Sequence, residues 1–259
     1  MTEQARSRDR VTYAVTIATL IAWIVLLIDH GSGNVQAIAS ICSAARAGAS
    51  AVSFDTLFAF NSLWSLVFGW LLMLAAMMLP TLTAPIFHVY ERSFKRRRFR
   101  SVSMFTAGYS VVWLLVGLVM LAAQHALNAL LPTSYWLTLT VCLAAFVWQC
   151  SPVKQLCLNR NHNHAELMAF GLAADLSALR FGITHALWCV GSCWALMLLP
   201  VLVSDSHLLL MFAVTVVMVG ERLEPPRPLC WRVRGLSNLV RIATHAIGSR
   251  QFRSALRLR

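Results

Sequence analysis

The chain of 259 residues is 58% hydrophobic and 12% charged, with a mean hydropathy of +0.67. Soluble domains carry roughly 25% charged residues, so the composition excludes an ordinary soluble protein and points to a bilayer. A net charge of +12 would suggest nucleic acid in a soluble chain; beside apolar spans, basic residues set topology and meet anionic headgroups, and no nucleic-acid partner is expected.

Six apolar segments follow one another, approximately Val11–Ile28, Leu57–Leu79, Ser103–His125, Ser134–Ser151, Phe181–Val203 and His207–Gly220. The first, fourth and sixth are near or below the usual spanning length of about 20 residues. Backbone groups in lipid must be satisfied internally, and the alternating segments of a β-barrel are absent. The expected fold is therefore all-α, a polytopic helical bundle of about six spans. Residues 1–10 form a cytoplasmic N-terminus, 11–220 the membrane domain and 221–259 a basic cytoplasmic tail. Of the 22 Lys and Arg residues, 21 fall before the first span, after the second, between the fourth and fifth, or after the sixth; Arg46 is the exception. The positive-inside rule then puts both termini in the cytoplasm, as in a multi-pass protein of a bacterial-type inner membrane whose immediate partner is lipid.

The first span is too long for a signal-peptide core and has no prompt small-x-small site after it. The second ends in Met73, Met77, Met78 and Pro80. Met73 and Met77 share a helical face, thioethers are neutral Cu(I) ligands, and Pro80 is expected to close the helix. Unbranched packing explains the same stripe. The fourth span leaves through Gln149, Cys150, Ser151, Pro152, Lys154 and Cys157. Cys150 and Cys157 share a face if the helix survives Pro152, which otherwise frees the Trp148 carbonyl. His162 and His164 in the next loop are candidates for a point where metal enters or leaves.

The fifth span carries the richest pattern: His185, Cys189, Cys193 and Met197, each four residues on. On a helix this is a ladder of about 6 Å and 40° per step. Imidazole, thiolate and thioether are the donors that soft and borderline metals prefer. The ladder is too extended for one ion, so a site takes two rungs plus donors from neighbouring spans. Gly182 and Gly191 permit close helix approach, and Trp188 and Trp194 flank the thiols. Of the seven cysteines, Cys42 alone lies on the outer side, and no Cys-x-x-Cys occurs. Glu221, at the inner end of the sixth span, is expected to snorkel beside Arg222. The tail from Leu236 to Leu258 is basic and modestly amphipathic.

From Trp70 to Arg222 the chain resembles a family of predicted metal-binding integral membrane proteins, some linked to copper delivery to polyphenol oxidases. The resemblance rests on Met73-x3-Met77-Met78-x-Pro80, Gly108-Tyr109-x3-Trp113, Gln149-x-Ser151-Pro152-x-Lys154-x2-Cys157-Leu158 and His185-x3-Cys189-x-Gly191-Ser192-Cys193-Trp194-x-Leu196-Met197. It implies that Met77, Met78, Cys157, His185, Cys189 and Cys193 occupy motif positions. Ser192 departs from the family, which usually has a second thiol there. Asn161-His162 replaces an expected Cys-Arg, leaving His162 to substitute for the lost thiol. Together these readings describe a Cu(I) chaperone or carrier, with copper preferred over zinc, whose donors lie in the cytoplasmic half and whose partner is a copper-dependent client. An assembly subunit of a membrane complex and a membrane thiol/quinone oxidoreductase are the alternatives.

Overall fold

The computed structural model describes residues 3–31, 63–130, 135–202 and 207–232. Their regular structure is entirely helical: α1 (Glu3–Gly31), α2 (Leu63–Met78), a 3-10 turn (Leu79–Leu82), α3 (Thr83–Arg92), α4 (Arg98–Leu130), α5 (Tyr135–Cys150), α6 (Pro152–Asn161), α7 (Gly171–Leu202) and α8 (His207–Arg222). Among the described residues, four stretches are long and apolar enough to cross a bilayer: Glu3–Ile28, Val67–Arg92, Arg98–Met120 and Gly171–Pro200. The fourth and sixth apolar segments correspond to α5 and α8, of 16 residues each. At 1.5 Å per residue each is about 24 Å long, short of a hydrocarbon core of about 30 Å. The Leu236–Leu258 tail and Cys42 lie outside the described residues.

As expected, α2 closes just ahead of Pro80, at Met78, but the chain does not turn away there. Lacking an N–H, Pro80 cannot bond the carbonyl of Ala76, and the chain tightens into the 3-10 turn before resuming as α3. The indole N–H of Trp23 on α1 donates to that free Ala76 carbonyl at 3.1 Å, so the irregular turn fastens α1 to α2. Thr81 and Thr83 hydroxyls donate to the Met78 and Pro80 carbonyls and satisfy the rest of the turn. Away from this contact α1 presents Ile17, Leu20, Ile21, Ile24 and Leu27 outward, as a lipid-facing helix must.

The most extensive interhelix contact joins α4 and α7. A Cβ on Gly182 would collide with the Phe105 carbonyl oxygen, and one on Gly108 would lie 2.6 Å from that of Leu179. The two backbones therefore touch, as small residues allow between membrane helices. Phe105, Tyr109 and Trp113, at four-residue steps on α4, are buried along this seam. At its basic end, Arg97 and Arg100 both grip Asp175 on α7, at 2.9 and 2.7 Å. These arginines thus hold helices together as well as setting charge asymmetry.

A second lock corrects the reading of Glu221. Its carboxylate does not snorkel outward; it is buried and pairs at 2.7 Å with Lys154, which is fully buried on α6. Gln149 on α5 completes the group, accepting from the Lys154 ammonium at 2.5 Å and donating to Glu221. Ser151 is extended, and its side chain caps α6 by accepting from the Lys154 N–H at 3.2 Å. The Trp148 carbonyl is not left free by Pro152, because the Ser151 N–H donates to it at 3.0 Å.

Two outcomes follow. Gly182→Val should lower stability by about 1–3 kcal/mol through overpacking, read as a fall in Tm of the detergent-solubilised protein; an unchanged Tm contradicts the close approach. Lys154→Met alone should destabilise by about 3–5 kcal/mol, because it strands a buried carboxylate, and adding Glu221→Leu should restore part of the loss. Equal unfolding temperatures for the single and double variants would contradict the lock.

Candidate functional site

The ladder on α7 faces inward along its whole length: His185, Cys189, Cys193 and Met197 are all buried. Four-residue steps keep one stripe of α7 against α4, and the glycine contact fixes its height. Tyr109 on α4 consequently meets Cys189, with the phenol oxygen 3.2 Å from Sγ. Cys189 and Cys193 bring their sulfurs to 3.7 Å. The Cys193 thiol also donates to the Cys189 carbonyl at 2.8 Å, which turns its sulfur back toward the preceding turn.

Arg222, at the C-terminal end of α8, points into the same place. Its guanidinium donates to the Ser192 hydroxyl at 3.3 Å and interacts with the Cys189 sulfur. Ser192 in turn donates to the Cys189 carbonyl at 2.8 Å. The residue that departs from the usual second thiol is therefore a link between the arginine and the thiol turn.

A small cavity opens beside Cys193, lined by Met78, Thr81, Ser192, Met218 and Arg222 among others. The α2 stripe thus contributes Met78 to the thiol region. Met77 is buried 100° further round its helix and does not line this cavity. His185 lies one turn below Cys189 among the rings of Phe105, Tyr109 and Phe181, with centroids 5.8–6.3 Å away.

The remaining candidates lie apart. Cys157 packs on the other side of α7, its sulfur 2.6 Å from where a Cβ of Gly191 would stand. Gly191 is about 200° around the helix from both Cys189 and Cys193, so Cys157 does not face the pair. Burial pushes the Cys157 thiol up from its ordinary value, partly opposed by the charge of Arg222, and keeps it protonated at neutral pH. Cys150 is half-buried at the end of α5, and the break at Ser151 places it on a different helix from Cys157. His162 ends α6, its Nδ1 2.9 Å from the Leu158 carbonyl. Among the described residues no three His, Cys, Asp or Glu side chains converge as a metal-binding group.

Three participants went unrecognised in the sequence reading. Arg222 and Tyr109 had visible positions without a role. Met218 carried a usable signal, since Met211 and Met218 are seven residues apart and share a helical face; both are buried. The arrangement offers two thiols and two thioethers, with a cation and a lysine-paired carboxylate at the wall, in a buried setting; the sulfur donors are those of a soft-metal site.

No curated protein and no solved structure matches the chain. Residues 67–244, a stretch that includes α3 to α8 and most of α2, match the PpoB2 family, and the chain accordingly belongs to that family, whose description is copper chaperone.

Proposed function

We propose that the protein is a membrane copper chaperone that carries Cu(I), its cargo, on Cys189 and Cys193, with the Met78 and Met218 thioethers beside Cys193. The observation that carries this reading is the 3.7 Å separation of the two sulfurs. Two sulfurs each about 2.3 Å from one ion lie roughly 3.8 Å apart at a tetrahedral angle and about 4.0 Å apart at a trigonal one. The pair therefore needs little rearrangement to share an ion.

Charge supports the same reading. A bis-thiolate complex of Cu(I) carries one net negative charge, costly in an apolar interior unless balanced. The Arg222 guanidinium already interacts with the Cys189 sulfur. Zinc sites are typically closed by four ligands, whereas Cu(I) accepts two or three and tolerates thioethers. His185, one turn toward the basic end, is the next donor along α7. Cys157, Cys150 and Met77 are read as packing around this centre, and His162 as a helix-end residue.

In the bilayer we read the bundle as six-pass, with α5 and α8 as two short spans and the basic end and both termini in the cytoplasm. The thiols then sit in the cytoplasmic half of a bacterial-type inner membrane, within reach of a copper-dependent client.

Metal analysis of the purified protein tests the assignment. Wild type loaded anaerobically with Cu(I) should retain about one ion per chain, and Cys189→Ser with Cys193→Ser should lose that sulfur-bound ion; equal sulfur-bound copper in both sinks the proposal. Arg222→Gln should weaken Cu(I) affinity by roughly 10–100-fold, the range for removing a group that supports metal ligands. Competition with a chromophoric Cu(I) chelator reads the change, and an unaltered affinity removes the arginine from the site.

A further inference from the structure

We propose that His88 and His164 form a second Cu(I) site, at the basic end of the bundle, where the ion docks before or after occupying the buried thiols. The inference rests on the reading of the chain as a Cu(I) carrier. It adds a residue, His88, outside the ladder, the methionine stripe and the loop histidines.

His88 lies on α3 and His164 in the loop before α7, 76 residues away in sequence, yet their ring centroids are 4.6 Å apart. His88 is held there by its Nε2, 3.0 Å from the Ala165 carbonyl. A carbonyl oxygen only accepts, so Nε2 carries a proton, which leaves Nδ1 as the nitrogen that can ligate. Donation of one ring N–H to a carbonyl is how ligating histidines are commonly oriented. His164 is exposed, so the pair is open to an incoming ion. Two imidazoles suffice for Cu(I) and hold it less tightly than thiolates, as a docking site requires.

The pair also lies on a line toward the thiols. The His88 ring is 5.8 Å from Phe181, Phe181 is 5.8 Å from His185, and His185 is one helical turn from Cys189. Nitrogen donors thus stand at both ends of the short interval between surface and sulfur, with an aromatic wall between them.

The full-length protein in detergent, titrated anaerobically with Cu(I) against a chromophoric chelator and examined by copper X-ray absorption, tests this. The Cys189→Ser, Cys193→Ser protein should keep a weaker ion with nitrogen scattering and no sulfur. Adding His88→Gln and His164→Gln should abolish it, or weaken it by about 10-fold or more, with Tm unchanged as the folding control. With both cysteines present, the two glutamine substitutions should leave the sulfur-bound ion at full stoichiometry while slowing its loading. Undiminished nitrogen-bound copper after the histidine substitutions overturns the docking site. Copper without sulfur scattering in the wild type overturns the thiol reading instead, so the two failures are distinct. Should the double glutamine variant shift Tm, His164→Gln alone, which leaves the His88–Ala165 bond in place, replaces it; unchanged nitrogen-bound copper there likewise overturns the proposal.

Discussion

The backbone contact between α4 and α7 organises the rest of the molecule. Lipid tails are as apolar as the helices, so burial alone does not drive helices together in a bilayer; close packing does. Gly108 and Gly182 remove the side chains that would separate the two backbones. Because Tyr109 immediately follows Gly108, the same contact sets a phenol against Cys189. The height of the thiols relative to the aromatic wall is thus a consequence of where two glycines fall. Asp175, gripped by two arginines, prevents the helices from sliding along that seam.

The remaining helices are attached by polar groups that the apolar core forces into pairs. Trp23 reaches α2 because Pro80 leaves a carbonyl without its helical partner. Lys154, Glu221 and Gln149 join α5, α6 and α8 for a related reason: each is buried or half-buried where water cannot satisfy it. In both places an irregularity in one helix supplies the bond that holds another.

Hydropathy made the helices legible and their ends illegible. It sees the apolar middle of a helix, so α1 begins at Glu3 rather than Val11 and α7 at Gly171 rather than Phe181. The ladder was legible because four-residue spacing has one geometric meaning on a helix, and all four rungs are buried on one stripe. Cys150 and Cys157 misled for the same reason: seven-residue spacing means a shared face only without a break, and Ser151 is extended. Lys154 looked topogenic and Glu221 looked like a snorkelling end residue because their partnership spans 67 residues of chain. His88 gave no signal at all, since a single histidine near a helix end is ordinary until a distant loop folds against it.

The distribution of charge around the thiols follows from these attachments. Lys154 and Glu221 neutralise each other at the wall of the cavity beside Cys193, which Glu221 helps to line. Had Glu221 turned to its sequence neighbour Arg222, the guanidinium would be matched and the thiols would face no net charge. Because Glu221 turns to Lys154 instead, Arg222 is directed to Ser192 and the Cys189 sulfur. A cation beside the two thiols offsets the negative charge that a Cu(I) bis-thiolate would carry in the interior. The Lys154–Glu221 pair therefore acts on the site through charge: with the carboxylate at the cavity wall matched by lysine, the arginine is left for the thiol turn.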